Sequence, residues 1–397
     1  MTNFDLQTIS IEQWIMLGAC LGFAIIQLLY LIVVYMRPIR RSRADATSQA
    51  SSEQLPPVSV IVYSKNESHK LEQNLPSILQ QEYPQYEVIV INDGSTDETD
   101  LYLTLLKQQY PNLYHTFIPQ ESKYLSRRKL SLTLGIKAAQ YDILLFTEAG
   151  CRPMSPHWIA SMAQRYADGP SIVLGFSAYI ARKGLLDRIA AFDNLIHGAQ
   201  YISSALAGKA FCGSGRNLSY RKEHFHSNKG FSHSLNLHAG DDDLFINRTA
   251  TRSNTRVEYS PNSITEAGPI EYFDAWKDIK VSRAATKHHY RGLQKLFYRL
   301  EAATSILFLA SFAVTLATAY RVSSLPLAIA SAGLYIILYT SKILVWRKLA
   351  LLLRQRPLAL SLPFLEIFRH TFDLYVLIYR KFRGKEDYTN TVGGKNG

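Results

Sequence analysis

Cysteine is scarce in this chain, with only Cys20, Cys151 and Cys212 among 397 residues. Three such residues make no disulfide framework and no Cys-x-x-Cys pair, which excludes a disulfide-stapled scaffold and the common cysteine zinc sites. A reducing compartment fits this usage. Acidic residues are also short, 32 Asp and Glu against 44 Lys and Arg, leaving a net charge of +12. No helix concentrates that excess as a nucleic-acid reader would, so nucleic acid is not an expected partner. Self-similarity at a fixed period is missing too, which excludes a solenoid. The sequons at Asn66, Asn217 and Asn247 read as chance, since they matter only on a secreted face.

Long apolar runs, in contrast, are present. Residues 15–36 form an uncharged stretch of the length that crosses a bilayer, roughly 20 residues. It lies behind Asp5 and Glu12 and ends without a small-residue cleavage site, so it reads as an uncleaved anchor. Residues 302–320 and 322–341 are two further candidate spans, separated by Arg321. Basic residues gather beside these runs: Arg37, Arg40, Arg41 and Arg43; then Arg347, Lys348, Arg354 and Arg356; then Arg380, Lys381, Arg383 and Lys385. The positive-inside rule places the intervening domain and the tail in the cytoplasm, and gives the basic excess a topological and lipid-headgroup role. The expected organisation is a membrane anchor over 1–36, a Ser-, Ala-, Gln- and Pro-containing linker over 37–56, a soluble domain over 57–298, two spans within 299–346, and an interfacial helix with a basic tail over 347–397.

Within the soluble domain, short β-branched runs alternate with helical periodicity. Strands are expected at 58–63, 86–91, 114–118 and 143–146. Helices are expected around Leu71, Leu75, Ile78 and Leu79, over 96–109 with Ser95 or Thr96 as cap, and around Leu130, Leu134, Ile136 and Ala139. Such alternation implies an α/β fold, a mostly parallel sheet covered on both faces. After Gly150 the pattern loosens to a helix near 156–166, a strand at 172–175, and a Gly-, His- and Ser-rich segment over 208–240 that reads as irregular site structure. Its histidines, at 224, 226, 233 and 238, match no common zinc spacing.

Open α/β sheets bind ligands at the carboxyl ends of their strands. Two acidic loops fall there, Asn92-Asp93-Gly94-Ser95 and the one reached by Glu148, and Asp241-Asp242-Asp243 adds a third downstream. Together they suggest an enzyme that handles an activated, phosphorylated donor. Asp93 at a strand end is suited to accept hydrogen bonds from a base or ribose. Asp241 beside Asp242 is expected to raise the neighbour's pKa by like-charge repulsion.

Six pieces in order carry a resemblance: Asn66-Glu67 after the first strand; Asn92-Asp93-Gly94-Ser95; Arg128-Lys129 before a helix; Thr147-Glu148-Ala149-Gly150; Gly240-Asp241-Asp242-Asp243; and Lys280-Val281-Ser282-Arg283. In these, residues 56–290 resemble a membrane-anchored bacterial family 2 glycosyltransferase with the GT-A fold, a Rossmann-like, mostly parallel sheet. The resemblance implies an inverting transfer from a nucleotide-sugar donor, UDP-linked, to a lipid-linked or polysaccharide acceptor at the inner membrane. It implies that Glu67 and Asp93 contact the nucleoside and that Lys129 contacts the nucleotide or its diphosphate. Asp242 becomes the general base, with Asp241 beside it, and Arg283 with Lys280 the stabilisers of the leaving diphosphate. Gly213, Gly215 and Asn217 map to a Gly-rich acceptor loop. Ala284 stands where processive relatives carry a tryptophan, which argues against long-chain synthesis.

Thr147-Glu148-Ala149-Gly150 departs from the family's Thr-Asp-Ala-Asp, whose aspartates hold Mg²⁺ or Mn²⁺. Only Glu148 remains as a metal ligand. Metal binding through Glu148 and phosphates, metal-independent catalysis leaning on Arg283 and Lys129, and lost catalysis all stay open. A non-catalytic nucleotide-sugar-binding component of a polysaccharide assembly complex is the alternative reading.

In the tail, Glu366, Arg369, His370 and Asp373 recur at helical spacing as one polar stripe, with Phe364, Leu365, Phe368, Phe372 and Tyr375 around it. The expectation is a helix lying in the cytoplasmic interface near the site, where it admits a lipid-borne acceptor.

Overall fold

The computed structural model describes residues 10–45, 55–118, 126–357 and 361–382. Residues 46–54 of the expected linker, and Arg383 and Lys385 of the tail, lie outside the described residues. The chain enters through α1 (Ile11–Leu29), which begins at a reciprocal cap between Ser10 and Gln13. A π-helical turn over Tyr30–Tyr35 carries it without a break into α2 (Met36–Asp45).

The domain then alternates as its periodicity implies: β1 (Val58–Ser64), α3 (Ser68–Leu79), β2 (Tyr86–Asn92), α4 (Thr99–Gln109), β3 (Leu113–Phe117), α5 (Arg127–Ala138) and β4 (Ile143–Glu148). After it come β5 (Cys151–Pro153), α6 (Trp158–Ala163), β6 (Ile172–Leu174), β7 (Ser177–Tyr179), α7 (Leu185–Leu206), β8 (Leu218–Arg221), α8 (Lys222–Ser227), α9 (Asp243–Thr249), β9 (Thr255–Val257), β10 (Thr265–Ala267) and α10 (Phe273–Lys287). The main sheet has the order β3-β2-β1-β4-β8-β6-β9, in which β8 alone runs against the others. A small sheet, β5-β10-β7, stands beside it.

Alternate residues of the strands feed two cores. Val58, Val60 and Val62 pack with Leu71, Leu75 and Ile78 of α3 on one face. Each of those fully buried side chains contributes roughly 1.5–3 kcal/mol. Ile61, Ile89 and Ile91 pack with Leu132 and Ile136 of α5 on the other. Gly135 permits that second contact, because a Cβ there would fall 2.4 Å from Cδ1 of Ile91. Close seating of α5 on β2 brings the start of the helix to the carboxyl edge of the sheet.

Three local expectations are corrected. The helix expected from 96 begins at Thr99 with Glu98 as its N-cap, because Asp97 holds the preceding residues in a turn: its carboxylate accepts from the Thr99 N–H and hydroxyl and from the Ser68 N–H. Ser95 and Thr96 instead bond to Asn66, joining the β2 loop to the β1 loop. The segment over 208–240 is only partly irregular, since β8 lies within the sheet. Helix α7, 22 residues long, carries buried residues on every side and so shows little periodicity in the sequence.

Among the described residues, three helices are long and apolar enough to cross a membrane: Ile11–Arg43, Gln294–Arg321 (α11) and Leu325–Leu352 (α12). They pack together, and Gln27 donates from α1 to the Glu301 carbonyl and to Thr304 at 2.8 Å each. The last helix, α13 (Leu362–Phe382), turns its polar stripe onto the protein. Glu366 pairs with Lys342 at 2.5 Å and accepts from Ser305, while Asp373 pairs with Lys280 at 2.7 Å. Phe364, Ile367, Leu374, Leu377 and Ile378 of the same helix are exposed. Charged residues turned inward, with large apolar ones exposed, invert the pattern of a water-facing helix.

Candidate functional site

The register places the acidic loops together. Tyr63 pairs with Glu148 across β1 and β4, and Ser64 with Asn92 across β1 and β2, so Asp93 and Glu148 flank the same strand end. In this sheet the strand order reverses between β1 and β4, the crevice where open α/β sheets take ligands.

Three successive basic residues open α5, and a helix sends consecutive side chains about 100° apart. Arg127 reaches Asp93, its Nη2 and Nε donating to Oδ1 at 2.8 and 3.1 Å. Asp93 also accepts from the Tyr63 hydroxyl at 2.7 Å and is 1% exposed. Arg128 bridges two carboxylates, Glu148 at 2.7 Å and Asp241 at 2.9 Å, with its guanidinium 4.6 Å above the Tyr63 ring. Lys129 points into the interior, fully buried, and its ammonium donates to the carbonyls of Ser234, Leu237 and Ala239. The expectation that Lys129 contacts the nucleotide is therefore corrected: all three of its protons are used in holding the 234–239 segment.

Glu148 ends β4 and is about a quarter exposed. Each of its oxygens already faces an arginine: Oε1 accepts from Arg128, and Oε2 from Nε of Arg216 at 3.2 Å. Burial pushes its pKa up, but the two guanidiniums outweigh burial and hold the carboxyl at about 2. Arg216 itself lies 4.9 Å above the Tyr179 ring. Glu67, at the β1 loop, pairs with Lys70 at 2.8 Å. That pair adjoins Gly150, where a Cβ would lie 3.5 Å from Cδ of Lys70 and 4.0 Å from Oε1 of Glu67.

Gly240, at φ +97°, turns the chain into the acidic run. Asp242 is the N-cap of α9: its Oδ1 accepts from the Asp243 N–H at 2.6 Å, and its Oδ2 from the Gly215 N–H at 2.8 Å. Burial, then the charges of Asp241 and Asp243, raise its pKa to about 7. Asp243 faces away, accepting from Thr286 at 2.5 Å and Tyr290 at 2.7 Å, and so fastens α9 to α10. A narrow pocket between these elements is lined by Arg128, Thr147, Gly215, Asp241 and Asp242, among others.

Of the expected acceptor loop, only Gly215 reaches this pocket. Gly213 is enclosed by Leu174, Ile246 and Leu218. Asn217 is fully buried, donating to the carbonyls of Phe176 and Ser263 and accepting from the Trp158 indole. Both are corrected from acceptor contacts to structural residues.

On α10, Lys280 and Arg283 converge on Asp193 of α7, at 2.5 and 3.3 Å. Burial opposes ionisation of Asp193, yet these cations hold its carboxyl well below the usual range. Thr286, which bonds Asp243, also donates to the Arg283 carbonyl, so one helical turn separates this cluster from the acidic run. Asp193 was missed from sequence; its signal was a lone carboxylate inside an apolar helical run, a residue type almost never buried unpaired. Arg216 carried no signal, because its partner Glu148 lies on another element, and Lys70 gains meaning only from its place beside Gly150.

Among the described residues no group of three or more His, Cys, Asp or Glu side chains is arranged to hold a metal ion. Glu148, the expected ligand, has both oxygens engaged by guanidiniums, and Gly150 offers no carboxylate. This donor set does not fit a resident divalent cation.

The profile of the family described as Glycosyl transferase family 2 matches residues 59–228. A poly-beta-1,6-N-acetyl-D-glucosamine synthase from Staphylococcus epidermidis is 28% identical over 121 residues, covering 30% of this chain and 27% of that protein. A second synthase of that name and organism is 30% identical over 101 residues, 25% of this chain and 23% of its own length. The chain thus spans about a quarter of these curated relatives. Among solved structures, a mannosyltransferase from Pyrobaculum calidifontis, in complex with GDP-Man and Mn²⁺, aligns with a TM-score of 0.52 at 17% identity. It covers 84% of this chain and 98% of the other. That likeness is one of fold, and the fold is GT-A.

Proposed function

Residues 59–228 are a glycosyl transferase family 2 domain, and from that premise we propose that the chain is an inverting glycosyltransferase. It moves a sugar from a nucleotide-sugar donor, UDP-linked, to a lipid-linked or polysaccharide acceptor at the cytoplasmic membrane. The observation that carries this reading is Asp242. It borders a pocket at the carboxyl side of the sheet, is anchored by two backbone N–H groups, and has a pKa of about 7. A carboxylate so poised takes the proton of an acceptor hydroxyl as that oxygen attacks the anomeric carbon. The new glycosidic C–O bond forms while the sugar–phosphate C–O bond breaks, and the nucleoside diphosphate leaves with the bonding electrons. Asp93, positioned by Arg127 and Tyr63, and Glu67 at the next loop are the nucleoside contacts in this reading. Lys280 and Arg283 supply positive charge on the α10 side, oriented by Asp193.

Three apolar helices support a multi-pass membrane protein, and the basic clusters after the first and third support a cytoplasmic domain. The inward stripe and outward apolar face of α13 support a helix seated at the lipid interface, joined to α10 through Asp373 and Lys280. Membrane lipids and a glycan or lipid-borne acceptor are then the partners.

A screen of nucleotide sugars by thermal shift on the purified chain identifies the donor. Release of nucleoside diphosphate from that donor is the test. Release that disappears in Asp242→Asn supports the enzyme, and donor binding with no release in any acceptor extract favours a non-catalytic binding component.

A further inference from the structure

Three cations converge where the departure from the aspartate pair occurs. Lys70 approaches the space that a side chain at position 150 would enter, its Cδ 3.5 Å from a Cβ built there. Arg128 and Arg216 grip the two oxygens of Glu148 from different elements, the start of α5 and the loop before β8. Tyr63 and Tyr179 lie beneath the two guanidinium planes and fix their orientation. Both arginines are partly exposed, 27% and 20%, and Lys70 is half exposed. All three are thus open to a ligand.

Building on the reading of the domain as a nucleotide-sugar transferase, we propose that Lys70, Arg128 and Arg216 bind the donor's diphosphate directly, in place of a divalent cation. The chemistry of the groups supports this. A divalent ion needs carboxylate oxygens that are free, and here it would have to strip both arginines from Glu148. A diphosphate needs N–H donors and positive charge, which guanidinium forks supply in bidentate geometry. In the free protein Glu67, Glu148 and Asp241 occupy the same three cations. These carboxylates act as placeholders, keeping the cations ordered and neutral until the phosphates compete for them. Glu148 is therefore a competitor of the donor rather than its ligand through a metal, and the two roles predict opposite effects of removing its charge.

Calorimetric titration of the full chain with UDP and with GDP, in excess EDTA and again in Mn²⁺, tests the proposal. The expected result is binding of one nucleotide with affinities in the two conditions that agree within about twofold. Lys70→Ala should weaken it roughly tenfold, the equivalent of one charge-assisted hydrogen bond, while binding of the bare nucleoside stays unchanged. Glu148→Gln should tighten binding in EDTA by about three- to tenfold. Binding that is lost in EDTA and restored by Mn²⁺, or weakened in Glu148→Gln, overturns the proposal while leaving the transferase reading intact. Failure of both nucleotides to bind in either condition overturns the proposal and that reading together. The comparison on the unmodified chain holds even if a variant fails to fold.

Discussion

The end of β4 and the start of α9 each carry a carboxylate near Arg128, and the two are electrostatic opposites. Glu148 is held at about 2 by Arg128 and Arg216, whereas Asp242 rises to about 7 under burial and two acidic neighbours. Arg128 lines the pocket that Asp242 borders but spends its ion pairs on Glu148 and Asp241. Residue type is nearly the same at the two positions. The number and sign of adjacent charges set one as a permanent anion and the other as a group able to exchange a proton near neutral pH.

The largest effect comes from removing the exchangeable proton. Asp242→Asn keeps one oxygen to accept from the Asp243 N–H, so α9 retains its cap, while the Gly215 N–H loses its acceptor. Transfer measured with labelled donor should fall by about 10²–10⁴-fold, the usual worth of a general base. Nucleoside diphosphate affinity should stay within about twofold, and a comparable loss of affinity would show that Asp242 holds the donor instead.

Lys129 breaks the contrast from beneath, because it holds the segment that leads into Asp241 and Asp242. Lys129→Met strands three carbonyls that now accept from one ammonium. Each unsatisfied buried group costs about 1–3 kcal/mol, so stability should fall by about 2–4 kcal/mol after partial relaxation. A melting temperature equal to that of the unmodified chain would return Lys129 to the donor site.

The proton chemistry sharpens the contrast further. Asp242 accepts a proton only when ionised, so the transfer rate should rise with pH up to about 7 and then level off. Below that point the rate falls about tenfold per pH unit. Asp241→Asn removes a like charge beside the base and should move this limb down by about one unit. A limb that stays in place would mean that the charge of Asp241 does not set the proton affinity of Asp242.

The smallest effect tests the other side. Gly150→Asp rebuilds the second acid of the family pair, but Lys70 stands ready to neutralise it. Mn²⁺ affinity should therefore rise less than about threefold in Gly150→Asp, and by roughly tenfold only when combined with Lys70→Ala, which frees one charge. A large rise in the single variant would show that Lys70 is not in the way.

Much of the fold was legible because it is written in short-range periodicity. Val58, Val60 and Val62 alternate toward one core, and Leu71, Leu75 and Ile78 recur at helical spacing toward the same core. The apolar runs were legible by length, and the helices prove longer than the runs because their charged ends continue the same hydrogen bonding. Less was legible where burial is complete. α7 carries too little periodicity to announce itself, and Asp193 in its middle gains meaning only from Lys280 and Arg283 some ninety residues later.

The sequence by itself determined that acidic residues would stand at the carboxyl ends of parallel strands, because strand ends and the turns after them follow from local pattern. It also determined that one acid of the usual pair is missing. Only the tertiary structure decided what the remaining charges do. Arg127, Arg128 and Lys129 are indistinguishable as a string, yet the helical twist sends them to Asp93, to Glu148 with Asp241, and into a fully buried cradle of carbonyls. Glu148 meets Arg216 across 68 residues of chain, and Lys70 meets the empty place at Gly150 only because two loops adjoin. Periodicity is a property of neighbours in sequence, whereas an ion's partner, and with it its proton affinity, is a property of neighbours in space.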